Sequence, residues 1–212
     1  MEVVDGDVDV EGRFVVNGDK SVGGTGALDL NANLTTGNFT MDNNALLNVA
    51  NNKYIDLKGN FLFFQTHGQE GNWQWGANSY LSMTGLGARE QRLEVGGKDG
   101  GGFDNNFDLN KLSLSGANTY AFLTDWINNG NRSSDECLYV DDLYVEAGST
   151  LNLNHLHLYL KGYGLVTPTA DWFNGHGRII DDYKPVPLPS TLLMLGSALL
   201  GLAGLRRKFG KQ

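Results

Sequence analysis

Few residues in this chain have types and spacings that could do chemistry. His155 and His157 stand two apart, so in a strand both imidazoles would point to one face, where a metal site is conceivable. Neither has a cysteine or a third obvious ligand nearby, and the same spacing serves a solvated strand face whose Leu neighbours are buried. Asp141-Asp142 is the most suggestive carboxylate pair for acid–base work. Adjacent strand residues point to opposite faces, so these two converge only at a bend. Residues 96–104 (GGKDGGGFD) loosely resemble a Gly/Asp calcium repeat, but the pattern occurs once and a flexible loop is the simpler reading. Asp5, Asp7 and Asp9 alternate with Val8 and Val10. They lack the glycine and distal Glu of a calcium loop, and read as the wet face of a strand. A Ser–His–Asp set, a phosphate loop and a nucleotide fingerprint are all missing from the sequence. The sequence therefore predicts no catalytic residues, no cofactor and no metal site.

Aromatic residues offer a binding chemistry instead. Trp73 and Trp75 are two apart, between Gly71 and Gly76, with Tyr80 close by. In a strand both indoles share one face. Exposed, they would form a platform for sugar rings, joining apolar contact to an N–H donor. Asn72, Gln74 and Asn78 would suit the hydroxyls. Buried, the same indoles are simply core.

Charge narrows the partners. The chain has 16 basic and 24 acidic residues, a net −8. Four of the basic residues lie beyond Leu205, so the remainder is more acidic still. Such a body stays soluble and avoids nucleic acid, and it has no basic stripe for phosphates. The single cysteine, Cys137, excludes an internal disulfide framework.

The elements that must position these groups read as β. The 29 glycines and 22 asparagines suit tight turns and positive φ. Proline is absent before Pro168, so ladder hydrogen bonding is uninterrupted. Short alternating runs recur, as in Tyr54-Ile55-Asp56-Leu57. Leu109-Asn110-Lys111-Leu112-Ser113-Leu114 matches Leu153-Asn154-His155-Leu156-His157-Leu158, which suggests two coils of about 22 residues each. Leu28-Asp29-Leu30-Asn31 echoes Leu151-Asn152-Leu153-Asn154. Apolar residues facing one way, with Asn at corners, are what a parallel β-solenoid stacks into a continuous core. An antiparallel β-sandwich is the rival architecture. The repeat favours the solenoid. Residues 172–180 read as a closing strand.

The tail differs in kind. Pro185, Pro187 and Pro189 precede an unbroken apolar run, residues 191–205, which ends at Arg206, Arg207 and Lys208. As a helix of ~1.5 Å per residue the run spans roughly 22 Å, short for a hydrocarbon layer of about 30 Å. Snorkelling by the basic residues would close the difference. Ser197, Gly201 and Gly204 fall on one helix face and leave a smooth ridge for a partner helix. The basic end belongs on the cytoplasmic side, so the body should lie outside the cytoplasm. The predicted organisation is a β-rich body at 1–180, a proline-rich linker and sorting motif at 181–190, a transmembrane helix at 191–205 and a basic cytoplasmic tail at 206–212.

These residues resemble the PEP-CTERM sorting signal of Gram-negative bacteria, with its Pro-Glu-Pro-like motif, short membrane helix and Arg-rich end. Val186, Pro187, Leu188, Pro189 and Ser190 stand in the motif position, with Leu188 where the named motif has Glu. The resemblance implies export and recognition by an exosortase-type membrane enzyme in the inner membrane. It further implies cleavage near the prolines and delivery to the cell surface or exopolysaccharide matrix. Residues 139–153 resemble the last coils of bacterial surface β-helix proteins. Met1-Glu2-Val3-Val4-Asp5 is acidic and unlike a signal peptide, which leads us to expect a truncated start. The expected function is a surface or matrix structural protein rather than an enzyme. A polysaccharide-binding module on the same anchor is the alternative. A lyase- or hydrolase-like β-helix, a class that uses acidic clusters, ranks third.

Overall fold

The computed structural model describes the backbone of residues 2–3, 7–10, 13–15 and 20–22. From there it describes residues 27–41, 45–64, 68–85, 90–116, 118–127, 129 and 136–183. Trp73, Trp75 and Tyr80 fall within this set. The sorting motif, the apolar run and the basic end fall outside it, as do Asp5 and His67.

After β1 (Glu2–Val3) the chain makes successive circuits of three short strands. The first is β2 (Asp7–Val10), β3 (Arg13–Val15) and β4 (Lys20–Val22). The second is β5 (Ala27–Leu30), β6 (Asn33–Thr36) and β7 (Phe39–Met41). The third is β8 (Leu46–Val49), β9 (Tyr54–Leu57) and β10 (Phe61–Phe63). The fourth is β11 (Trp73–Trp75), β12 (Tyr80–Met83) and β13 (Glu90–Glu94). Next come β14 (Gly97–Lys98), β15 (Leu109–Leu114), β16 (Tyr120–Thr124), β17 (Glu136–Val145) and β18 (Thr150–Asn152). The last strands are β19 (His157–Leu160), β20 (Gly164–Leu165) and β21 (Arg178–Ile180).

Among the described residues these strands form three sheets, and each strand lies beside the one from the previous circuit. The first sheet runs β2-β5-β8-β11. The second runs β3-β6-β9-β12-β15-β17-β19-β20, with β14 beside β17. The third runs β1-β4-β7-β10-β13-β16-β18-β21. Pairing is parallel except where β14 meets β17 and β20 meets β19. The protein is thus all-β with parallel sheets, not the antiparallel sandwich. Among the described residues no helix is long and apolar enough to cross a membrane.

Alternation dictates this arrangement. Strands such as Ala27–Leu30, Asn33–Thr36 and Tyr54–Leu57 bury every second residue. Parallel register then stacks like on like. Ile55, Leu81, Leu112 and Leu143 form one inward ladder on the second sheet, each fully buried. Phe39, Phe61, Leu93 and Leu123 form another on the third. Burying one such side chain is worth about 1.5–3 kcal/mol. Asparagines hold the corners. Asn52 and Asn78 both adopt positive φ, and the Asn78 amide donates to Asn52 Oδ1 at 3.1 Å one circuit back.

The circuit length varies and departs from the 22 residues that the repeat suggested. Asp7 lies beside Ala27, a step of 20, whereas Leu81 lies beside Leu112, a step of 31. Leu109 aligns through Val140 with Leu160, not with Leu153 as the repeat implied. Leu28 belongs to the first sheet and Leu151 to the third, so their likeness reflects a shared strand pattern rather than a shared position. Leu-x-Leu alternation marks any inward-facing strand and carries no information about which side of the circuit it lies on. The expected closing strand at 172–180 is shorter than predicted. Residues 178–180 alone pair with β18, while Trp172 is buried as a plug.

Candidate functional site

The outward face of the second sheet carries a groove. Parallel register lines up side chains across neighbouring strands. Tyr54 lies beside Tyr80, and Lys111 lies beside Asp142. Next to them Asp56, Ser82, Ser113 and Tyr144 form a second row. Ser82 and Ser113 are small, while Tyr80 and Tyr144 are large, so the row dips between walls. The result is a groove of about 790 Å³, lined also by Asn78, Ser79 and Asn110.

Each wall is held in place. The Tyr80 ring stacks on Tyr54 with centroids 5.0 Å apart. Burial pushes the Tyr80 phenol up, with the neighbouring Tyr54 and Asp56 adding to the shift. Lys111 Nζ lies 2.8 Å from Asp142 and 5.8 Å from the Tyr144 ring centre. The Asn174 amide donates to Asp142 Oδ1 at 3.1 Å. Lys161 Nζ lies 2.7 Å from Asp141 Oδ2, whereas Asp141 Oδ1 is buried and has no partner. Lys58 Nζ lies 3.0 Å from Asp56. The groove's charges are therefore met in pairs, with hydroxyls between them.

Asp141 and Asp142 lie within the continuous strand β17, where its alternation of buried and exposed residues breaks. Val140 and Leu143 both face the core, so the alternation skips phase between them, as it does between Leu109 and Leu112 on the neighbouring strand. Both carboxylates point outward and both line the groove.

Trp73 and Trp75 are placed differently from Tyr80. They lie on the first sheet, beside Leu47 and Val49. They thereby continue the inward ladders of Leu28 and Leu30, and pack against the core. Their partial exposure arises because β11 is the last strand of that sheet. The Trp73 ring meets Phe61 edge-on, and its N–H donates to the Asp108 carbonyl at 2.8 Å. The Trp75 Nε1 is buried without a partner. The geometry separates the two indoles from Tyr80 and turns them inward, away from any shared sugar platform.

The histidines also part company. His155 occupies a turn with φ of 64° and lies 3.2 Å from Asp181, while His157 projects from β19 and lies 3.0 Å from Asp99. His176 lies 2.9 Å from Asp171. The expected shared strand face for His155 and His157 does not form, because the turn at Asn154 and His155 precedes the strand. Among the described residues no group of three or more His, Cys, Asp and Glu is arranged to hold a metal ion. The Gly/Asp segment 96–104 contains β14 and a loop tied to it by Asn106. Asn106 binds the Lys98 backbone from both ends of its amide and donates to the Gly102 carbonyl at 2.7 Å. Cys137 is a buried thiol, pushed up to about 12 by burial.

Sequence reasoning missed one cluster. Glu94 and Glu136 are buried carboxylates near Asp125. Thr124 donates to Glu94 at 2.6 Å, and the Ile127 N–H donates to its other oxygen at 2.6 Å. The Asn129 N–H donates to Glu136 Oε1 at 2.9 Å. Glu94 and Glu136 lie 42 residues apart in the sequence, so no local signal announced the cluster.

Residues 185–208 match the PEP-CTERM protein-sorting motif. The match confirms the resemblance carried by Pro185 to Lys208. No curated protein and no solved structure matches the chain. The motif supports an exported protein, sorted by its C-terminus to the cell envelope and processed by an exosortase-type enzyme.

Proposed function

We propose that this chain is a structural component of the cell surface or exopolysaccharide matrix. Its body is a parallel β-solenoid of the β-helix kind, and it has no enzymatic role. One membrane helix at 191–205 holds it in the inner membrane during transit, with 206–212 in the cytoplasm and the body outside. An exosortase-type enzyme then cuts near Val186–Ser190 and releases the body to the surface. The observation that carries this reading is the sorting motif at 185–208. The hydrogen bonding of the body supports it. The Asp182 N–H donates to Asn152 Oδ1 at 3.0 Å, so the last circuit is tied off just before the motif begins. Circuits that stack on their neighbours build an extended body, which suits a matrix component.

The test is to express the chain behind a secretion signal in a host with and without its exosortase. The expected result is a shortened product at the surface in the first host and a full-length, membrane-bound product in the second. Identical mass and location in both hosts, or a body labelled only from the cytosolic side, would refute the proposal.

A further inference from the structure

We propose that the groove on the second sheet binds a neutral polysaccharide chain, with sugar rings seated between Tyr80 and Tyr144 over Ser82 and Ser113. This goes beyond sorting and stands whether or not the tail is cleaved.

The argument starts from size. The groove's volume of about 790 Å³ lies in the range of about 300–1,000 Å³ typical of ligand sites. It is a groove rather than an enclosed cavity, which suits a segment of polymer. Its floor consists of small hydroxyl residues in register on neighbouring strands. Strand spacing of about 4.8 Å repeats the donors and acceptors along the groove. A sugar chain offers hydroxyls in a similar periodic row.

The walls supply the rest. Tyr80 presents a ring already fixed by its stack on Tyr54, so little side-chain entropy is lost on binding. An aromatic ring with a polar tip matches the apolar face and hydroxyl rim of a sugar. Asp141 also lines the groove, its Oδ2 held by Lys161 at 2.7 Å. Charge selects against ionic ligands. Lys111 is met by Asp142, and Lys161 by Asp141. The chain as a whole carries net −8, which repels polyanions.

The test is affinity electrophoresis of the full chain in mild detergent, through native gels containing galactomannan, xylan, hydroxyethylcellulose, dextran or the anionic alginate. Retardation by at least one neutral polymer, insensitive to added salt, is expected. Ser113→Trp fills the groove from its floor. Tyr80→Ala removes a wall. Each should weaken binding by at least about tenfold, which is ~1.4 kcal/mol, while near-UV circular dichroism stays native. If Ser113→Trp fails to fold, Tyr80→Ala alone decides. Retardation by none of the neutral polymers, retardation by alginate only, or unchanged retardation of a folded variant would overturn the proposal.

Discussion

Glu94 and Thr124 stand opposite each other in register on β13 and β16, and the Thr124 hydroxyl donates to the Glu94 carboxylate at 2.6 Å. Burial dominates the environment of that carboxylate and raises its pKa to about 7, against the lowering effect of Thr124 and of the Ile127 and Trp126 N–H groups. Burial, then the nearby Asp125 charge, raises Glu136 to about 8. Both groups are held above the ordinary glutamate value, so the folded state binds more protons than the unfolded chain between about pH 4.5 and 8. Their stabilising contribution is complete below that window and is lost as pH rises through it. Urea midpoints should therefore fall from pH 5 to pH 9. Glu94→Gln keeps the shape and the Thr124 bond but cannot ionise. It should flatten the decline by roughly 2 kcal/mol. A midpoint that rises with pH in the parent chain would contradict this account.

Asn110 ties one circuit to the corner of the previous one. Its amide donates to the carbonyls of Trp75 and Gly76 and reaches Ser79 Oγ at 3.3 Å. Asn110→Ala removes this donor from both carbonyls, of which Gly76 keeps the Ser79 N–H and hydroxyl. We expect a loss of about 1–2 kcal/mol in equilibrium denaturation. Asn110→Asp, which cannot donate, should cost as much or more. A change within a few tenths of a kcal/mol in either variant would mean that the corner holds without this side chain.

The two tiers of the structure differ in how far sequence exposes them. Tyr54-Ile55-Asp56-Leu57 and its kin announce inward-facing strands, because alternation is local. Asn52 and Asn78 announce corners for the same reason. The sorting tail is legible too, since its prolines, apolar run and arginines are contiguous. The groove is not, because Tyr80, Ser113 and Tyr144 come from three circuits whose lengths differ. Only the register of β12, β15 and β17 brings them together. The skip of phase at Asp141 and Asp142 was likewise invisible, since nothing local distinguishes a strand that breaks alternation from one that keeps it.

Gly175 closes the last turn against the body. Its φ is 105°, and a Cβ there would collide with the Val145 carbonyl. Neighbouring bonds depend on the same approach: the Gly177 N–H donates to the Val145 carbonyl at 2.8 Å, and the Val145 N–H to the Asn174 carbonyl at 3.1 Å. Gly175→Ala combines a disfavoured backbone conformation with a steric clash, and should cost about 2 kcal/mol or more. Hydrogen exchange should show the loss first at residues 143–146 and 172–180. Uniform loss of protection across all circuits would instead indicate that the end does not fray separately.

Trp73→Ala separates two roles that the sequence leaves open for the tryptophan pair. The indole continues the Leu28 and Leu47 ladder, covers the last strand of its sheet and satisfies the Asp108 carbonyl. Truncation removes that cover, so water reaches Leu47 and the Phe61 ring loses its edge-on partner. Large-to-small changes at buried aromatics cost about 3–5 kcal/mol. Trp73 is half-buried, so about 2 kcal/mol is expected from urea denaturation. The groove lies on a different sheet from Trp73, so glycan retardation of the folded variant should match that of the parent. Retardation lost at full stability would place the sugar platform at the indoles after all. Stability lost with retardation intact assigns Trp73 to the core and leaves the binding surface to Tyr80 and Tyr144.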